Sequence, residues 1–361
     1  MRKLALLLSL LLILSALSAC ATAPKPTDGT AEGSAEQTTE KPVEEATEKL
    51  AEETTEKLIE SPVSDFVYQK KDNVNGIWIT KYVGNDETVV IPAEIEGLPV
   101  SEICGYTNDA GKTSGAFQGT EIRSVVIPNT VRFIFQRAFS DCKNLEQVSF
   151  GSGSELSTIS MAFENCVSLK KIDLSATKLT RIGSCSFYGC TNLKECKLCD
   201  TITYIGERAF YNCTSLQEIR LPNQLETLEN EAFYKCSSLQ RLTIPKTLSV
   251  VKGSSHFMDC TSLNDVQFEE GMKLCMWGYS FFGNCSSLTE LTIPASMERL
   301  DASLFILPNL SKIVFLGNCP QLGTLNYSEF KSGTTIYYDP RTEGWDPWPW
   351  SDPCTHASLV S

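Results

Sequence analysis

Apolar residues recur through this chain at fixed intervals of 22–25 residues, and phenylalanine marks the interval: Phe117, Phe139, Phe163, Phe187, Phe210, Phe233, Phe257, Phe282 and Phe305. Cysteine follows three residues after seven of them, at Cys142, Cys166, Cys190, Cys213, Cys236, Cys260 and Cys285. Two neighbouring copies read AFYNCTSLQEIRLP (Ala209 to Pro222) and AFYKCSSLQRLTIP (Ala232 to Pro245). A period in this range is the signature of a solenoid, in which each unit stacks on its neighbours.

Within a unit, Leu239, Leu242 and Ile244 follow a three-then-two spacing. Strand alternation turns Leu242 and Ile244 to one face, and Arg241 and Thr243 to the other. Proline follows the strand in several copies (Pro128, Pro222, Pro245, Pro294), which suits a strand end because proline cannot donate to a ladder. In AFYNC, Ala209 and Cys213 are four apart and face the same way in one helical turn. Each unit therefore reads as a short strand, a bend, and a helical turn or irregular return. One unit cannot bury its apolar face alone, so stacking is expected to make the phenylalanines a continuous spine.

The ends differ from the repeats. Gly76 to Val100 alternates like strand and carries its own Ile91-Pro92; an open solenoid end needs such a cap. Thr335 to Tyr338 (TIYY) is expected to be the last strand, with the tryptophans of Gly344 to Trp350 (GWDPWPW) covering it. The organisation expected is a signal over 1–19, a lipidated cysteine and tether over 20–62, an N-terminal cap over 63–104, repeats over 105–330, and a C-terminal cap and tail over 331–361.

Arg2 and Lys3 precede an apolar stretch from Leu4 to Leu14, and Leu17-Ser18-Ala19-Cys20 follows as a small-residue cleavage site. The stretch is short for a membrane span. Residues 21–62 hold eleven acidic residues, four lysines and no aromatic residue. Such a segment lacks the apolar surface to fold, although Glu44 to Glu60 favours transient helix. As a flexible spacer it would span about 35 Å on average. The chain as a whole carries −13: +2 in the leader, −7 in this tether and −8 in residues 63–361.

With repeat, cap and leader together, the chain resembles the BspA-like leucine-rich repeat proteins. The carrying pattern is Ile-x-x-x-Ala-Phe-x-x-Cys-x-x-Leu-x-x-Ile-x-Leu-Pro, as in Ile205 to Pro222, with Gly97-Leu98-Pro99-Val100 and the IYY…GW ending. It extends from about Phe66 to Trp350. Gly119-Thr120 and Pro308 depart from the cysteine position, and Phe281 replaces the usual alanine. The resemblance implies a right-handed leucine-rich solenoid, mostly β, with a parallel sheet on one side. It also implies a surface protein that adheres to host matrix glycoproteins or to other cells. Leu-Ser-Ala-Cys resembles a bacterial lipoprotein lipobox, which implies a lipid on Cys20 and attachment to the outer face of the cell envelope.

Fifteen cysteines in an exported chain suggest disulfides. The ladder cysteines instead occupy one place in successive units and read as small buried hydrophobes with a weak S–H donor. Cys185, Cys190, Cys196 and Cys199 have the composition of a zinc site, but their repeat positions point them in different directions, so neither metal nor cofactor is expected. A Cys185–Cys199 bridge stays open. Of the two histidines, His256 takes an alanine position and His356 lies in the tail. No nucleophile–base–orienter set and no phosphate-cradling loop can be assembled, so no enzyme activity is expected, and the acidic repeats without a basic stripe speak against nucleic acid.

The outward strand positions form a row, and its middle is the candidate binding face: Lys171, Asp173, Glu195, Lys197, Glu218, Arg220, Arg241, Thr243, Asp265 and Gln267. This row is polar and mixed in sign. The function expected is extracellular protein or glycan binding by a lipid-anchored module. A cell-envelope enzyme or substrate-binding component, and a self-associating structural protein, are the alternatives.

Overall fold

A computed structural model describes residues 59–71, 76–107, 111, 113–272, 274–275, 280–300, 304, 307–322, 333–345 and 355–359. The leader, Cys20 and the tether up to residue 58 lie outside the described residues, as do Phe305, Trp348 and Trp350. The described chain falls within one compact unit, Leu58–Ser361.

Each turn contributes to two parallel ladders. The longer strands follow the leucine pattern. Gln147–Phe150 pairs with Ser124–Ile127 and that with Thr88–Val90. Lys171–Asp173 pairs with Glu195–Lys197, Arg241–Ile244 with Asp265–Phe268, and Glu290–Ile293 with Lys312–Phe315. The second ladder is built of two-residue strands: Phe133–Ile134, Thr158–Ile159, Arg181–Ile182, Tyr204–Ile205, Thr227–Leu228 and Val250–Val251. Its alternation is short because only the second residue of each pair (Ile134, Ile159, Ile182, Ile205, Leu228) enters the core.

The return between the ladders is irregular, and the helical-turn alternative is not what forms. The helix found among the described residues is a single 3-10 turn, Val63–Asp65. The physical cause is visible around each phenylalanine from Phe139 to Phe282. Residues two before and two after it have left-handed φ: 54° at Arg208 and 59° at Asn212 around Phe210, 50° at Met161 and 57° at Asn165 around Phe163. Left-handed residues interrupt a right-handed helix. The backbone donors go instead to the next turn, as Phe210 N–H donates to Ala232 O at 2.7 Å and Asn212 N–H to Tyr234 O at 2.7 Å. The second position after the phenylalanine accordingly carries Gly, Asp or Asn in seven turns (Gly119, Asp141, Asn165, Gly189, Asn212, Asp259, Asn284), the residues that tolerate this region.

The expected spine is present. The rings of Phe117, Phe139, Phe163, Phe187, Phe210, Phe233 and Phe257 are fully buried and stack with centroids 4.8–5.6 Å apart. Tyr82 of the N-terminal cap adds one more ring, 5.0 Å from Phe117. The cap is an antiparallel hairpin, Phe66–Lys71 with Gly76–Tyr82, whose second strand runs parallel to Leu98–Ile103. The outer edge of the longer ladder is covered at this end, where Ser61 N–H donates to Val90 O at 2.8 Å.

At the other end the sheet continues beyond Thr335–Tyr338, correcting the expected last strand: Thr355–Ser358 pairs with it in parallel register and includes His356. Its sequence, THAS, has no apolar alternation to announce it. Trp345 does cover the last turns as expected, 2% exposed and stacked on Tyr338 at 4.7 Å and against Phe315 at 5.1 Å. No helix among the described residues is long and apolar enough to cross a membrane.

Candidate binding surface

Parallel register brings the candidate residues into two columns. Lys171 pairs with Glu195 and Asp173 with Lys197; Arg241 pairs with Asp265 and Thr243 with Gln267. Single bridges from Glu195 to Glu218 and from Glu218 to Arg241 join the two segments. Nine of the ten side chains are exposed, and Asp265 is half-buried. Between them Ile172, Cys196, Ile219, Leu242 and Val266 point into the core, so alternation assigns the face.

The ladder is narrowest at Glu218, where one bridged residue replaces a full strand. A shallow hollow of about 640 Å³ lies there, lined among others by Ser175, Lys194, Glu195, Lys197, Leu198, Gln217, Glu218, Arg220, Gln240 and Arg241. Its charges neutralise one another within and across turns. Lys197 Nζ lies 3.3 Å from Glu195 and 3.8 Å from Asp173; Arg220 lies 3.3 Å from Asp200, and Arg241 3.7 Å from Glu218. Exposed pairs of this kind stabilise by about 0.2–1 kcal/mol each, so the fold does not depend on them. They leave a polar surface of alternating sign, fixed on a rigid sheet.

The cysteines serve the core. Each ladder thiol donates to the carbonyl of the phenylalanine one turn earlier: Cys142 to Phe117 at 2.9 Å, Cys166 to Phe139 at 3.1 Å, Cys190 to Phe163 at 3.1 Å, Cys213 to Phe187 at 3.2 Å, Cys236 to Phe210 at 3.2 Å, Cys260 to Phe233 at 3.4 Å and Cys285 to Phe257 at 3.2 Å. Burial pushes these thiols up, Cys142 to about 11 and Cys190, Cys236 and Cys285 to about 12, which removes the nucleophilic thiolate. Twelve of the described cysteines are free thiols. Cys196 is a core strand position, Cys199 donates to Leu179 O at 3.4 Å, and Cys185 is half-buried on the return. The Cys185–Cys199 bridge is therefore not formed. Among the described residues no group of three or more His, Cys, Asp or Glu side chains is placed to hold a metal ion.

His256 is fully buried in the column held by alanine or serine in the turns before it, with Nε2 2.9 Å from Lys252 O. Burial lowers it to about 4. The hollow at Glu218 escaped sequence reasoning because LQEIRLP differs little from LQRLTIP.

A family model described as a BspA type leucine rich repeat region, in six copies, matches residues 113–240, 192–311 and 230–339. Among solved structures, a leucine rich repeat protein of T. pallidum shares 31% identity over 57% of this chain and 91% of its own, with a TM-score of 0.49. A leucine-rich repeat protein from Bacteroides ovatus shares 25% identity over 78% of this chain and 71% of its own, with a TM-score of 0.57. No curated protein matches.

Proposed function

The chain belongs to the BspA-type leucine-rich repeat family, and on that premise we propose that it is a lipid-anchored protein of the bacterial cell surface that binds extracellular macromolecules without chemistry of its own. Cys20 carries the lipid, the acidic segment to residue 62 spaces the solenoid from the membrane, and the partners are host matrix glycoproteins, other cells or glycans. The observation that carries the binding role is the polar strand face with its hollow at Glu195, Lys197, Glu218, Arg220 and Arg241. A rigid face whose charges are exposed and dispensable for folding is suited to recognition, since a partner can re-pair them without unfolding anything.

The test is binding of the full-length protein to immobilised matrix glycoproteins and glycans. Glu218→Ala, Arg220→Ala and Arg241→Ala together should weaken binding by at least about tenfold while stability changes by less than about 2 kcal/mol. Unchanged binding would remove the face from the account. For the anchor, Cys20→Ser should move the protein from the membrane fraction to the soluble one; retention in the membrane contradicts lipidation.

A further inference from the structure

A second surface lies on the return between the ladders. The position after each spine phenylalanine holds Gln118, Ser140 and Glu164 in early turns and Met258 and Gly283 in late ones, but Tyr188, Tyr211 and Tyr234 in the three middle turns. These rings are half-buried and stack in register, with centroids 4.8 and 4.9 Å apart and planes within 15°. Their backbone is pinned, since Gly189 N–H donates to Tyr211 O at 2.8 Å and Asn212 N–H to Tyr234 O at 2.7 Å.

Stacking occupies the inner ring faces, so a ligand meets ring edges and phenol hydroxyls. Among the described residues the Tyr188 and Tyr211 hydroxyls have no protein partner. Neither is among the buried polar atoms left unsatisfied, so both reach solvent. Arg208 lies beside them, its Nε 2.6 Å from Glu231 and its guanidinium 5.9 Å from the Tyr211 ring centroid. Asn212 follows Tyr211 in the chain and is half-buried.

We propose that this tyrosine ladder binds a neutral oligosaccharide along the solenoid axis. Three features select that class. The row of rings is about 10 Å long, two spacings of the stack, whereas a stable protein interface needs roughly 800 Å² on each partner. Charges of both signs border the row, Arg208 against Glu207 and Glu231, Lys235 over the Tyr234 ring and Asp259 at its hydroxyl, so no cluster of one sign selects an ionic ligand. Phenol, guanidinium, carboxylate and amide groups together provide the donors and acceptors that vicinal sugar hydroxyls satisfy. Rigid aromatic groups also lose little entropy on binding. This surface shares no residue with the polar strand face and stands independently of it.

The probes are cellohexaose, maltohexaose, xylohexaose and chitohexaose, titrated into the full-length protein and read by saturation-transfer NMR and calorimetry. At least one should bind with a dissociation constant below about 1 mM. Combined Tyr188→Phe, Tyr211→Phe and Tyr234→Phe, which keeps the rings and removes the hydroxyls, should weaken it by about tenfold or more with an unchanged thermal midpoint. The Glu218/Arg220/Arg241 alanine variant should bind the sugar as wild type does. Silence of all four sugars up to about 10 mM, undiminished binding by the phenylalanine variant, or loss confined to the strand-face variant would each overturn the proposal. None of these outcomes bears on matrix-glycoprotein binding by the strand face, which the alanine variant tests separately.

Discussion

Two stretches of the same spine behave differently. From Phe117 to Phe257 successive rings are nearly parallel, within 4–18°. Beyond Phe257 the order breaks: Phe257 meets Phe281 at 53° and Phe282 at 35°, and Phe281 and Phe282 stand at 88° to each other. The phenylalanines are as buried in one stretch as in the other. What changes is the residue before each. In the parallel stretch that column holds Ala116, Ala138, Ala162, Ser186, Ala209, Ala232 and, before its last ring, His256; Phe281 follows where the order ends. The His256 ring sits 5.0 Å from Phe281. The parallel order ends where a second ring, Phe281, takes the column beside the spine, while burial alone fixes only that a ring is inside.

The largest expected effect separates the two stretches by truncation. Phe210→Ala removes a ring stacked on both sides and should cost about 3–5 kcal/mol, transfer and cavity together. Phe282→Ala should cost less, near the lower end of that range, because Phe281 is adjacent and free of the parallel constraint. Chemical denaturation of both variants gives the order; an equal or larger loss at Phe282 would break the comparison.

His256 provides the next test, through pH. Its folded value of about 4 lies below the ordinary 6.5, so the unfolded chain binds the proton more tightly. Stability is whole above pH 6.5 and falls as pH drops towards 4, by about 3 kcal/mol from this group. His256→Ala, which restores the repeat's own residue, should flatten the profile in that window even if it lowers stability at neutral pH. Parallel profiles for wild type and variant would exclude His256 as the cause.

The cysteine ladder gives a smaller effect within the regular stretch. Phe210 O accepts from both Cys213 N–H and Cys236 Sγ, each at 3.2 Å. Cys236→Ala should cost about 1–2 kcal/mol for a small cavity and a lost weak donor. Cys236→Ser should recover part of it if the S–H donor matters, and none if the site needs only apolar volume.

The smallest effect has the opposite sign. Lys235 is the one side chain outside Gly, Asp and Asn in its left-handed column, at φ 62°. Lys235→Asn should stabilise by up to about 1 kcal/mol, measured as a raised thermal midpoint. A lowered midpoint would mean that the contact of Lys235 with the Tyr234 ring, 5.3 Å from its centroid, outweighs backbone relief.

The fold was largely legible because period and alternation are properties of single residues counted along the chain. Phe210 and Cys213 mark the turn, and Leu242 and Ile244 mark the strand, without knowledge of their neighbours. The second ladder was harder to see, since a two-residue strand such as Tyr204–Ile205 shows no alternation. The return reads from sequence as either a helical turn or an irregular loop because Ala209 and Cys213, four apart, fit both, and left-handed Arg208 and Asn212 decide for the loop. Of the candidate face, the columns followed from register alone. The hollow at Glu218 did not, because it depends on how one turn pairs with two others.

The most direct test of the binding role is the hydrogen-exchange footprint of a bound matrix glycoprotein on the full-length protein. Slowed exchange should concentrate at residues 171–173, 195–198, 218–220 and 241–243, which flank the hollow. Protection confined to the return around 209–213, or absent from the solenoid, would contradict the assignment of the polar strand face.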